Sequence, residues 1–214
     1  MSFLYKSTQT NSKIKEAAIA KILDNATPDK EYYAMLIGSI LLALGAIFTD
    51  SIPTLIASMI VAPLAYPILA LGLGIASGNG KLIARASSLL LFSCALALAI
   101  GMTAAILFNK DRVPDILISF SSNDYIAVGV AVVSGCIAAF AATRPKVATV
   151  LLGIAIAVSL MPPLVASGVN MAPGGSPLQG APRLFVLNVL GILISSSLVF
   201  VCTGLAKTYR TMRP

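Results

Sequence analysis

Residues 56–67 read IASMIVAPLAYP and residues 154–164 read IAIAVSLMPPL. Each stretch belongs to an apolar run long enough to cross a bilayer, and each carries its prolines near the middle of that run. Proline inside a helix lacks the amide donor and clashes with the carbonyl one turn back. In hydrocarbon the freed backbone groups need protein or trapped water as partners. Two spans interrupted at depth therefore point to something built there, most simply a binding or permeation site.

The totals agree with a membrane setting. The chain has 214 residues, of which 57% are hydrophobic and 11% charged. Its mean hydropathy is +0.93. A soluble domain carries about 25% charged residues. Continuous apolar runs favour helices over a barrel, whose strands alternate. The first thirty residues are polar and basic, unlike a cleaved signal segment. The net charge of +7 is read as excess Lys and Arg near a cytoplasmic surface, with no nucleic-acid partner. Cys94, Cys136 and Cys202 fall inside apolar runs and form no CxxC pair; they are expected to be small buried hydrophobes. With no Trp, Tyr32, Tyr33, Tyr125 and Tyr209 at span ends take the anchoring role.

These runs predict an all-α membrane protein with six transmembrane helices, at 33–48, 52–76, 82–108, 125–142, 147–169 and 184–206. Three segments follow: a cytoplasmic N-terminal segment over 1–30, a six-span transmembrane domain over 31–206 and a basic cytoplasmic tail over 207–214. In KIKEAAIAKIL, Ile14, Ala17, Ala18 and Ile22 recur at helical spacing. The N-terminal segment is thus either an amphipathic helix on an anionic membrane surface or a frayed tail that only sets topology. With both termini inside, 12 of the 15 Lys and Arg fall on the inner side. This bias predicts an inner-membrane protein with both ends cytoplasmic.

Each half runs span, proline-broken span, long span. Pro63-Leu64 pairs with Pro163-Leu164, and Ala-Ser-Gly follows in both halves. Three spans per half is odd, so repeats would be inverted, with the second helix of each broken by proline and the site near the midplane. The alternative is six spans dividing by three without relation.

At these residues the chain resembles the hydrophobic membrane proteins classed as domain of unknown function 389. The matching stretches are SIPTLIASMIVAPLAYPILALGLGIASGN, GIAIAVSLMPPLVASG and NVLGILISSSLVFVCTG, within a likeness that covers about residues 30–206. The resemblance implies a compact multi-span unit of the inner membrane and brings no functional residue with it. Many relatives carry an extra soluble domain before the spans, where this chain has about thirty residues.

No Asp, Glu, Lys or His stands inside a span well away from its ends. That counts against a proton-coupled carrier, which buries a carboxylate for its work. It also counts against an enzyme, since no metal-ligand pair or carboxylate dyad is visible. No cofactor is implied. What remains is neutral polarity and backbone: helix ends at the breaks carry partial charges of about half a unit, and new N-termini suit an anionic or polar solute.

The candidate solute-binding residues are Ser58, Ala62, Pro63, Tyr66 and Pro67 at the first break, and Ser159, Met161, Pro162 and Pro163 at the second. Asn188 and Ser195 join them; with Gly191 they share one face of the last span, a stripe that either glues helices or lines a wet cavity. Gly74 and Gly78 form a GxxxG, with Gly72 a third small position. The expected function is a small membrane transporter or channel for a small solute or ion. The competing reading is a non-transporting scaffold or accessory protein. The partners are the lipid bilayer and that solute, and a homo-oligomer is left open.

Overall fold

The computed structural model describes residues 2–108, 124–143, 160–172 and 180–212. Among them every regular element is a helix: α1 (Ser2–Asn25), α2 (Lys30–Thr49), α3 (Ile52–Val61), α4 (Ala65–Ser77), α5 (Gly80–Phe108), α6 (Asp124–Ala142), α7 (Met161–Asn170), α8 (Gly180–Cys202) and α9 (Leu205–Thr211).

Four helices are long and apolar enough to cross a membrane: α2, α5, α6 over Tyr125–Ala142, and α8. The α3–α4 pair, bent by 49°, makes a fifth crossing if counted as one broken span. The span expected at 147–169 lies largely outside the described residues, and its described part is α7. Ten residues rise only about 15 Å, so α7 alone does not cross. Large apolar side chains such as Leu91, Leu107, Ile126 and Ile194 stand outward on α5, α6 and α8. Their exposure is costly in water and neutral in lipid, which marks a membrane-embedded helical protein.

Local chemistry sets the ends. Asp29 caps α2, its carboxylate accepting from Tyr32 N at 2.7 Å. The capped helix therefore starts ahead of the apolar run, at Lys30. Asp50 closes α2 in a left-handed conformation with φ 51°. Ser51 then caps α3.

α1 is a helix, as one of the two expectations held, but its inner face is rotated. Ala18, Ile19, Ile22 and Ala26 are buried, while Ala17 is exposed. α1 packs against α4 and α9. The last span ends at Cys202, short of the expected Ala206, because Gly204 turns the chain at φ 71°. α9 then folds back onto α4.

The tyrosines divide. Tyr32 is buried and shares a hydrogen bond of 2.8 Å with Ser93 Oγ on α5, and Tyr209 is buried against α4–α5. Tyr33 is half-buried and Tyr125 is 93% exposed; the burial of Tyr32 and Tyr209 does not suit a lipid anchor. The cysteines are less enclosed than expected: Cys94 and Cys136 are half-buried and Cys202 is exposed.

Candidate functional site: the first break and the helix that meets it

Proline disfavours the helical conformation in the residue before it. Ala62, just before Pro63, is accordingly extended at φ −63°, ψ 124°, and it ends α3. Its amide still reaches back to Ser58 O at 3.2 Å. The chain re-enters a helix at Ala65, with Leu64 at the cap position and no side-chain cap. Pro67 is third in α4, where its missing donor falls among amides that lack intrahelical partners anyway.

The second proline segment starts α7 in the same manner. Leu160 holds the cap position, no side chain caps the helix, and Met161, Pro162 and Pro163 form its first turn. The matching register thus pairs Pro67 with Pro163, a turn later than the sequence pairing of Pro63 with Pro163. Gly72 and Gly168, equally far beyond those prolines, are both contact points. A Cβ on Gly168 would stand 2.7 Å from Leu98 O, and one on Gly101 3.0 Å from Val165 O, so α5 and α7 meet backbone to backbone. A Cβ on Gly72 would stand 2.7 Å from Ser196 Oγ of α8. Ser197 Oγ donates to Gly72 O at 3.2 Å. So α4 packs on α5 and α8, and α7 on α8 and α5.

α3 also touches α7, which brings the helix before the first break against the helix that begins at the second. Ala62 and Pro67 are buried, as are Met161, Pro162 and Pro163; Pro63 and Tyr66 are half-buried. Tyr66 Oη is itself buried and has no hydrogen-bond partner among the described residues. Ser58 is fully buried, and its hydroxyl donates to Leu55 O of its own helix at 2.7 Å. Ser159 lies outside the described residues.

The last-span stripe goes elsewhere. Ser195 Oγ donates to Ile192 O at 3.1 Å and lies where a side chain on Gly135 of α6 would point. Gly191 abuts Ala131 and Val132 of α6, and Asn188 is buried on α8. At Gly191 and Ser195 the stripe joins α8 to α6, the gluing role of small and polar residues in bundles. The GxxxG splits as well. Gly72 faces α8 and Gly74 faces Ile83 of α5, whereas Gly78 ends α4 at φ 67°.

The helix-end expectation is lopsided. α4 offers the amides of Ala65 and Tyr66 in its first turn. Pro162 and Pro163 leave Met161 the only amide in the corresponding places of α7.

A second polar cluster, absent from the sequence reading, closes the α1 end of the bundle. Asn79 caps α5 by accepting from Lys81 N and Leu82 N at 3.1 and 3.2 Å. Its amide donates to Tyr209 Oη at 2.9 Å. Arg210 donates to Ser77 O at 2.7 Å and to Ala76 O at 3.3 Å, satisfying terminal carbonyls of α4. An Asn directly before a helix is a readable cap signal; its distant partners are not.

The elements from the end of α3 to α8 define a family. The model of the domain of unknown function DUF389 matches residues 59–194, and the chain belongs to that family. The chain is similar to an uncharacterized protein of Methanocaldococcus jannaschii, 29% identical over 184 residues. That match takes in 86% of this chain and 57% of the relative's length. No solved structure matches the chain.

Proposed function

We propose that this protein is a small membrane transporter or channel whose solute site lies at the first break, between Ala62 and Pro67, where α3 meets α7. The observation that carries the reading is Tyr66 Oη, buried with no hydrogen-bond partner among the described residues. A buried hydroxyl left without a partner costs about 1–3 kcal/mol, and polar groups kept in that state call for a ligand or water. The uncapped start of α4 adds the amides of Ala65 and Tyr66 beside it. On this reading the chain crosses six times as two inverted three-helix repeats, with both ends on the cytoplasmic side of the inner membrane. Support comes from the exchanged contacts of α4 and α7 with α5 and α8, the pattern a twofold relation between halves requires.

The test is flux. Purified protein in liposomes is screened against anions, cations and small polar metabolites, with Tyr66→Phe in parallel. Movement of at least one solute, reduced about tenfold in the variant, supports the reading; no movement of any solute, or equal flux in both proteins, overturns it.

A scaffold without transport is the second reading. It draws on the Ser58 hydroxyl, satisfied by its own helix, and on the complete burial of Met161. It requires a dry break and a partner recovered by crosslinking at the outward faces.

A further inference from the structure

The α1 end of the bundle holds two cavities that share Lys81 and Tyr209. One, of about 320 Å³, has Leu23, Ala26, Leu82 and Ala86 among its apolar walls and includes Lys81 and Arg85. The other, of about 570 Å³, runs over the α4–α5 turn beside Arg210. Lys81 and Arg85 sit on the first turns of α5 and are exposed. Arg85 reaches across to the α1–α2 connection, donating to Thr27 Oγ1 at 3.4 Å. Neither forms an ion pair among the described residues, and no carboxylate lines either cavity. Glu16 accepts from Ser12 and Asp29 is committed to capping α2; Asp24 and Glu31 are exposed nearby in the chain but line neither cavity. Arg210 already serves the α4 carbonyls, and Lys81 and Arg85 are the two cations lining the smaller cavity.

We propose that this cleft binds a phosphate-bearing anion, with Lys81 and Arg85 on the phosphate and the apolar walls against the carbon adjoining it. The cleft opens beside the first turns of α5, a helix long and apolar enough to cross a membrane. Basic pockets between such helices suit anionic headgroups, and a guanidinium takes phosphate through paired hydrogen bonds. The source is therefore a lipid phosphate, and a soluble phosphate ester shares the chemistry. The site stands apart from the break, so its test neither needs nor settles the transport reading.

The experiment measures thermal unfolding of the full chain in neutral detergent with added phosphatidylglycerol, phosphatidylcholine or glycerol phosphate. Wild type is compared with the double variant Lys81→Ala/Arg85→Ala and with the charge-keeping Lys81→Arg/Arg85→Lys. Phosphatidylglycerol should raise the unfolding temperature of wild type, as any ligand of the folded state does. Half-saturation should rise about tenfold or more in the alanine variant and stay close to wild type in the charge-keeping one. Equal response to glycerol phosphate and phosphatidylglycerol, lost together in the alanine variant, keeps the phosphate site and assigns it to a soluble ester. Equal response to phosphatidylglycerol and phosphatidylcholine, or equal response of wild type and alanine variant, overturns the proposal. Should the double variant fail to fold, Lys81→Gln at its exposed position serves in its place under the same criteria.

Discussion

α4 and α7 begin alike and end up in different surroundings. Both start after a Leu at the cap position, both have proline third, and both offer a glycine to a neighbour the same distance on. α7 is enclosed from Met161 to Val169 and approaches α5 backbone to backbone at Gly168 and Gly101. α4 meets α8 through serine hydroxyls and carries Tyr66 where α7 has Pro162. The comparison teaches that α7 is packed in along its length, whereas the start of α4 keeps a polar group with no partner among the described residues. The proposed solute site is on the α4 side for that reason.

The same substitution at the two glycines separates these surroundings. Gly168→Ala drives a methyl toward Leu98 O, which belongs to the backbone of α5 and has no rotamer to yield. The expected loss is the largest here, about 3 kcal/mol, visible as a lower unfolding temperature in detergent and reduced folded yield. Gly72→Ala meets Ser196 Oγ at the same 2.7 Å, but a hydroxyl can rotate away. Its loss should be about 1 kcal/mol and should shrink in the double variant with Ser196→Ala; equal losses at both glycines would break the comparison.

Arg210→Gln removes both bonds to the α4 carbonyls and should cost about 1 kcal/mol, read by thermal unfolding. It sharpens the comparison by showing that the far end of α4 relies on a distant residue. Tyr66→Phe should have the smallest effect on stability, between none and a gain of about 1 kcal/mol, while flux falls. A clear loss of stability would mean that the hydroxyl has a structural partner after all.

Much of this arrangement is legible in the chain. The first break follows from proline chemistry, and α2, α5 and α6 follow from apolar runs, to within a few residues. The α1 face was misjudged because alanine fits either side of a helix: Ala18 turned inward and Ala17 outward. Counted from the starts of α4 and α7, Pro67 is the counterpart of Pro163, because Pro63 acts by ending α3, whereas Pro67 is the proline inside the resumed helix. Periodicity puts Asn188, Gly191 and Ser195 on one face but does not say which neighbour that face meets. The closure by Asn79, Tyr209 and Arg210 was out of reach, since it joins positions far apart in the chain through contacts no local pattern records.

The central claim is that Tyr66 faces water or solute at the break. In a chain with Cys94, Cys136 and Cys202 replaced by Ala, cysteine is placed at 66 or, as a lipid-facing control, at Leu41 of α2 (57% exposed). A membrane-impermeant thiol reagent is then applied to the protein in vesicles. The account predicts labelling at 66 at least about tenfold faster than at 41, since hydrocarbon excludes a charged reagent. Labelling at 66 no faster than at 41 would contradict it.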